Sequence, residues 1–409
     1  MLTNKVLIRK ITLTLVLLVI ARLGIFIPVP GIDHDAFYNG VGQNAVVNFL
    51  NIFSGGGFST IGLFALGIVP YINASLIMQL LTKTIPNLEA LQKEEGEKGR
   101  QKINQITRYL TLLWAIIQGV GVCLWVKPYV FYWNTGFIFS VIISLSTGSL
   151  IVMWFSELIT EKGIGNGASL IIFQNIISGI PQTLKNSVFE EKIILTQVLI
   201  LVPLFIMMLT ITIMVQEGIR KINIISARQL IKQNNIDPQS YLPLKLNQGG
   251  VMPIVFASAA MALPSYLSSI VTDNTIKGLL YSCINNPLIY ISLYGAMIMF
   301  FSFFYSSLVL NTEDLSNNLK KMGASIPNVR PGEDTSNYLN KIIYRLTFLG
   351  ALFLFLVALV PSLITEVTHM NSFRGFGATS LLILVGVAID TAKQIQTYII
   401  SEKYESLMK

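Results

Sequence analysis

Runs of about 20 apolar residues recur along the whole chain, and they leave it few possible folds. A helix of that length crosses the hydrocarbon core of a bilayer, and in lipid a helix satisfies its own backbone hydrogen bonds. Charged residues make up only 12% of the 409 residues, about half the share found in soluble domains. We therefore predict an all-α polytopic membrane protein. Ten spans are predicted, at residues 11–29, 58–82, 109–126, 137–159, 167–184, 193–215, 251–270, 287–310, 342–364 and 376–392.

The basic residues indicate how these spans are oriented. Of the 29 lysines and arginines, 23 fall in the tails and connections on one side of the predicted membrane and 5 on the other. Basic connections stay on the cytoplasmic side, or its equivalent in an organelle, so both termini are predicted to lie there. Ten spans divide into an N-terminal half, 1–184, and a C-terminal half, 185–409. Each half has five spans, so the two halves would be inverted, a plan found in transporters with a central pathway.

The second span is predicted to be broken. Gly55, Gly56 and Gly57 precede it, and a proline follows within it at Pro70; both residue types disfavour a continuous helix. We expect a short helix over 58–66 and a second helix over 68–81 that begins at membrane depth, where irregular backbone needs a protein or water-filled surrounding. Two isoleucines four residues apart, 68 and 72, share one face of this second helix. They indicate either ordinary packing or an apolar constriction that blocks ions.

Few other residues point to chemistry. Arg22 lies inside the first predicted span, and for a single arginine we favour structural pairing over a role in transport. Cys123 and Cys283 are far apart, and His34 and His369 are isolated, so neither a metal site nor a redox cofactor is predicted. The glycine-rich sequence GIGNG lacks the lysine of a phosphate-binding loop, so we predict no nucleotide site and no cofactor.

Five motifs in order carry a resemblance to a known family. They are FSGGGFSTIGLFALGIVPYINASLIMQLL, ELITEKGIGNGASLIIF, LPLKLNQGGVMPIVFAS, NLKKMGASIPNVRPGE and GATSLLILVGVAID. The chain resembles the SecY family, the channel subunits of the general protein translocase, over nearly its whole length. The resemblance implies ten transmembrane helices in two inverted halves around a central hourglass pore. It also implies a plug, 57–65, on the external side of the pore.

The resemblance assigns candidate site residues one by one. The pore ring comprises Ile68, Ile72, Ile172, Val255 and Ile383. The plug and its hinge comprise Gly55, Gly56, Gly57, Phe58, Ser59, Thr60, Ile61 and Leu63. Ala168 stands where the family often has a ring isoleucine, which puts that position in doubt. The family opens a lateral gate into lipid, which Asn73 and Gln79 would help to close, although both could equally be packing residues.

Two basic connections, 216–250 and 311–345, are predicted to face the cytoplasmic side. Their plain interpretation is topology, whereas in the family they dock the SecA motor or the ribosome. The docking candidates are Arg228, Lys320, Lys321 and Arg330. Arg330 is favoured because a Pro-Gly turn follows it. The small membrane subunits SecE and SecG, unfolded preproteins and membrane lipid are the other implied partners. No separate DNA-binding region is predicted.

The predicted function is a protein-conducting channel, not an enzyme. The alternative is a secondary transporter of a small solute, which shares inverted halves and a broken helix but needs polar ligands at its centre. A structural scaffold would not explain the glycine-rich break. The bias toward Asn, Ile and Lys is typical of AT-rich coding, and no cleavable signal or transit peptide is evident before the first span. We therefore favour a plastid thylakoid membrane over a bacterial plasma membrane.

Overall fold

A computed structural model of the chain describes residues 3–34, 36–37, 54–93, 96–190, 195–226, 240–257, 260–261, 286–368 and 378–408. The chain divides into two compact units. The first comprises Met1–Ile193, Asn371–Gly375 and Val387–Lys409, and the second comprises Ile194–Met370 and Phe376–Gly386. The two predicted halves, 1–184 and 185–409, stay a prediction.

The described part of the chain is mostly helical. The helices of the first unit are α1 (Thr3–Ile25), α2 (Gly57–Thr60), α3 (Val69–Thr84), α4 (Pro86–Lys93), α5 (Gly96–Val126), α6 (Thr135–Lys162) and α7 (Gly167–Glu190), with a 3-10 turn at Lys127–Tyr129. Those of the second unit are α8 (Leu195–Glu217), α9 (Pro287–Val309), α10 (Thr312–Lys321) and α11 (Glu333–Thr368). The last helix, α12 (Ala378–Met408), has residues in both units.

Four helical stretches of the described chain are long and apolar enough to cross a membrane: Gly96–Tyr129, Thr135–Lys162, Ile289–Lys321 and Glu333–Val360. They contain or closely match the predicted spans 109–126, 137–159, 287–310 and 342–364. Shorter apolar helices occur at Gly167–Gly179 and Phe205–Glu217. The total of ten spans stays a prediction, and most of the predicted span 251–270 lies outside the described residues.

Local chemistry explains several helix boundaries. Pro70 occupies the first turn of α3, where a missing N–H leaves no hydrogen bond unmade. At the other end of α3, Ile85 is extended because it precedes Pro86. The amide oxygen of Asn166 accepts hydrogen bonds from the N–H groups of Ala168 and Ser169, at 3.1 and 3.4 Å. That oxygen caps α7. The GIGNG sequence therefore forms a turn that leads into α7.

A small antiparallel sheet was not predicted, so the chain is mostly helical rather than all-helical. Strands β1 (Ile219–Ser226), β2 (Ser240–Lys245) and β3 (Ala324–Ser325) lie in the order β2-β1-β3. The register pairs Ile219 with Lys245 and Ile225 with Ser325. One apolar cluster lies beneath the sheet: Ile222, Leu244, Leu319, Ile326, Leu339, Ile343 and Leu346. This cluster joins the two basic connections into one folded platform.

Candidate functional site

The glycine-rich segment between α1 and α3 begins with left-handed backbone. Gly55 and Gly56 have φ values of +64° and +86°, which only glycine adopts without strain. A single helical turn, α2, follows, and turns continue from Ile61 to Ile68. The predicted short helix over 58–66 was therefore wrong in length. Ile61 has φ +42°, a value that no residue of a right-handed helix can take.

Backbone hydrogen bonds fix the second part of this segment to the chain that follows α1. The N–H of Leu63 donates to the carbonyl of Ile27 at 2.7 Å, and the N–H of Val29 donates to the carbonyl of Ile61 at 3.1 Å. Gly62 pairs with Pro28 in an isolated β-bridge. The 61–68 segment, which we call the anchored segment, is thus paired like a short strand at its beginning.

Close approaches of backbone to backbone secure the anchored segment further. A Cβ on Gly62 would collide with the carbonyl oxygen of Ile25, and a Cβ on Gly148 of α6 would collide with that of Leu63. Beside Gly148, the hydroxyl of Ser149 donates to the carbonyl of Gly67 at 3.2 Å and is fully buried. Glycine and serine let helices approach closely in membranes, and here they let α6 contact the anchored segment.

Arg22 contacts the beginning of the same segment. Its Nη1 donates to the carbonyl of Gly55 at 2.5 Å, and its guanidinium lies 5.1 Å from the centroid of the Phe26 ring. Among the residues that the structure describes, none forms an ion pair with it. The structural pairing predicted for Arg22 is therefore found, and its partner is the backbone carbonyl of Gly55.

Three predicted ring residues of the first unit lie in one apolar cluster. Ile68 is 0% exposed, and it packs with Ala21, Ile25, Phe64, Val152, Phe155 and Ile171. Ile72, Ile172 and Ala168 are partly buried against this cluster. Ile68 precedes α3 directly, and its carbonyl accepts from the N–H of Ile72 at 3.1 Å. The structure thus brings these aliphatic side chains together at the start of α3.

The other two ring candidates belong to the second unit. Val255 is half-buried within the helical residues 252–257, next to the fully buried Ile254. Ile383 is buried in α12. The neighbouring carbonyl of Leu382 accepts a hydrogen bond from the side chain of Gln216 at 3.4 Å. The ring role of both residues stays a prediction.

The two gate candidates lie on α3. Asn73 is half-buried and Gln79 is exposed, whereas the buried residues of this helix are Pro70, Ala74, Leu76, Met78 and Thr82. Within the described part of the chain, neither amide side chain forms a hydrogen bond. The lateral gate stays a prediction.

The docking candidates that the structure describes lie on the folded platform. Lys320 and Lys321 lie in the last turn of α10 and are exposed. Positive charges are favourable at the C-terminus of a helix. Arg330 is exposed in a turn, and its carbonyl accepts from the hydroxyl of Thr335 at 2.8 Å. Arg228 lies outside the described residues.

Sequence reasoning missed the residues that hold the anchored segment in place. Gly62, Gly148 and Ser149 were not singled out, although three small or hydroxyl residues precede Ser149 within one apolar span, Ser146–Gly148. Such a group of small residues is the usual sign of a close helix contact in membranes. These small residues could therefore have predicted the contact between α6 and the anchored segment.

The sequence profile of the family described as SecY matches residues 62–392. Among curated proteins, the chain is 64% identical over 402 residues to the protein translocase subunit SecY of Pyropia yezoensis, covering 98% of each chain. It is 63% identical to that of Porphyra purpurea, again over 98% of each chain. The SecY of Synechocystis sp. is 52% identical, with 98% of this chain and 94% of the relative covered.

Solved structures agree in fold. A protein-conducting channel matches with a TM-score of 0.62 at 18% identity, over 96% of this chain and 93% of that one. Canine Sec61 in a ribosome–channel complex matches with a TM-score of 0.59 at 18% identity, over 96% and 93%. The profile spans most of the sequence, and the curated relatives match nearly end to end. This chain belongs to the SecY family.

Proposed function

We propose that this chain is the central subunit of a protein-conducting translocation channel. It passes unfolded preproteins across a membrane and releases hydrophobic segments laterally into lipid. The observation that carries this conclusion is 64% identity over 98% of both chains to a protein named as a translocase SecY subunit. The apolar helices make it an integral membrane protein.

The aliphatic cluster at the start of α3 suits this function better than solute transport. A carrier needs polar or charged ligands at its centre, whereas Ile68, Ile72 and Ile172 offer neither hydrogen bonds nor charge. Ions gain nothing among such groups, yet flexible side chains can part around a polypeptide of any sequence. The comparisons likewise support a translocation channel and not the solute transporter.

The pore ring is proposed to comprise Ile68, Ile72, Ile172, Val255 and Ile383, and 57–65 is proposed to be the plug. Support for the plug comes from the left-handed glycines before it and from the contacts that hold it against α1 and α6. A related structure at 17% identity, with a TM-score of 0.64, concerns a SecY plug domain that stabilises the closed channel and maintains the membrane seal.

The gate and the partners are also part of the proposal. Asn73 and Gln79 carry amides on α3 that are free to bond across a gate, since neither is engaged within the described residues. Arg330, Lys320 and Lys321 present cations on a folded platform, which suits ribosomal RNA phosphates or an acidic motor surface. Related channels have been solved bound to ribosomes. We include SecA, SecE and SecG as partners on the family resemblance.

A plastid thylakoid membrane is the proposed location. The Asn, Ile and Lys bias supports it, and so do the similar SecY proteins of the red algae Pyropia yezoensis and Porphyra purpurea. Two inverted halves of five spans each complete the proposed architecture.

Site-specific photo-crosslinking tests the channel function. A photoreactive amino acid at position 72 of the reconstituted translocase should capture a precursor stalled in transit, because Ile72 is a member of the proposed ring and is partly buried against the Ile68 cluster. Position 143 on α6 is the matched control, since Ile143 is 62% exposed and faces away from the cluster. It should crosslink to lipid.

The two positions together decide the outcome. Precursor adducts at 72 and lipid adducts at 143 support the channel. Efficient lipid adducts at both positions, with no precursor captured at 72 although the precursor is stalled, would contradict the pore assignment.

A further inference from the structure

Arg22 places a permanent positive charge within the apolar second half of α1. Arg22 is half-buried beside the buried Ala21 and Ile25, and a charge inside a membrane span is costly unless it has a specific partner. Its partner is the Gly55 carbonyl, at 2.5 Å. A charged donor makes a stronger hydrogen bond than a neutral one, above all where water is excluded.

The backbone at Gly55 is shaped to receive this donor. Its φ is +64°, and a Cβ there would lie 2.6 Å from Arg22 Nη1 and 2.7 Å from Asn175 Oδ1. Any side chain at position 55 would therefore push the arginine away. Gly56 differs, because it has φ +86° but no atom within 4 Å of a Cβ. The two glycines share backbone strain but not the arginine contact, so they form a matched pair.

Arg22, Gly55 and Asn175 join three elements. Arg22 lies near the end of α1, Gly55 begins the hinge, and Asn175 lies buried in α7. One residue earlier on α7, the side chain of Gln174 donates to the Leu18 carbonyl at 2.9 Å. Polar contacts thus fix the spacing of α1 and α7 directly beside the hinge.

We propose that Arg22 is a positioning residue that holds the plug closed, by donating to the Gly55 carbonyl at the hinge. This proposal rests on the plug assignment above. In the closed channel the hydrogen bond fixes the hinge against α1. Opening breaks this hydrogen bond. The Phe26 ring, 5.1 Å from the guanidinium, then remains as a cation–π partner of Arg22 until the plug closes again.

The test compares reconstituted translocase complexes in an ion-conductance assay without precursor. Arg22→Gln should raise the idle leak about 10-fold, as loss of a charge-assisted hydrogen bond predicts. Arg22→Lys, which keeps the charge and an ammonium group that can donate, should leak less than Arg22→Gln. Gly55→Ala should leak at least as much as Arg22→Gln, because it adds backbone strain to the loss of the same contact, and adding Arg22→Gln to it should raise the leak no further, because the contact is already broken.

Gly56→Ala provides the matched control. Its strain is local, so its effect should add to that of Arg22→Gln on a logarithmic scale, and Gly55→Ala should not. The amount of assembled complex and its transport of a normal precursor are measured for each variant, so that a folding defect is recognised. If Arg22→Gln fails to assemble, Arg22→Met takes its place in the cycle.

Removal of 57–65 separates the possible failures. If this deletion raises the leak but Arg22→Gln does not, or if Arg22→Gln and Gly55→Ala add fully, the arginine contact is overturned and the plug remains. If the deletion leaves the leak unchanged, the plug assignment fails and this proposal fails with it.

Discussion

Gly148→Ala adds a single methyl group, which should loosen the contact between α6 and the anchored segment, and with it the proposed plug. A Cβ at this position would lie against the Leu63 carbonyl, 2.9 Å from its carbon and 3.1 Å from Cδ1 of Phe64. The carbonyl belongs to backbone, which cannot rotate away as a flexible side chain does. The anchored segment must therefore move off α6, or α6 must move off the segment.

The size of the effect follows from the cost of overpacking. An added methyl in a tightly packed site typically costs about 1–3 kcal/mol, which shifts an equilibrium about 5- to 150-fold. The cost falls on the seated state, in which the anchored segment contacts α6. An unseated segment, one that has moved off α6, no longer touches the new methyl. Gly148→Ala should therefore raise the population of channels with an unseated segment, and with it the ion leak of the idle complex.

Gly136→Ala, on the same helix, is the matched control. A Cβ there has nothing within 4 Å, and alanine in place of a helical glycine is worth about 0.8–1.0 kcal/mol in helix propensity. It should leave the leak unchanged. Both variants are reconstituted at equal amounts and their conductance is measured without precursor. If the two complexes leak equally, the contact between α6 and the anchored segment does not hold the seal, and the reasoning is refuted.

Two smaller changes test the same site and the platform. Ser149→Ala removes a buried hydrogen bond of 3.2 Å, worth about 0.5–1.5 kcal/mol, so idle conductance should rise by less than it does for an added methyl at the adjacent glycine. Arg330→Glu should slow precursor transport in a reconstituted assay with motor or ribosome while the idle leak stays unchanged. Lys341→Glu, an equally exposed reversal, should slow it less; equal slowing would show that general charge, and not this turn, is recognised.

The sequence could predict the apolar helices and the break between them. Hydropathy located the spans that α5, α6, α9 and α11 occupy, because a stretch long enough to cross lipid must be continuous and apolar. Glycines and a proline located the break before α3, since both residue types act locally on the backbone. The helix predicted over 68–81 is found as α3, Val69–Thr84, with Pro70 in its first turn.

Contacts between distant residues could not be predicted in this way. The Leu63 N–H reaches the Ile27 carbonyl across 36 positions of sequence, and no local preference encodes such a pairing. The sheet was missed although its first strand carries a local signal. Ile222 and Ile224 alternate with polar residues in β1, a period typical of strands.

Glycine content alone does not distinguish a movable segment from a fixed one, and the 54–68 region contains both. Gly56 has left-handed backbone and nothing within 4 Å of where a Cβ would lie, and its neighbour Gly55 accepts the hydrogen bond from Arg22. Gly62 lacks a side chain for the opposite reason, because the Ile25 carbonyl occupies the space a Cβ would take. An opening motion of the proposed plug, 57–65, would therefore pivot at Gly55 and Gly56, and it must also separate Leu63 from α1 and α6. Release of the plug then requires the loss of the Arg22 hydrogen bond at the pivot and of the hydrogen bond from Leu63 to Ile27 in the anchored segment.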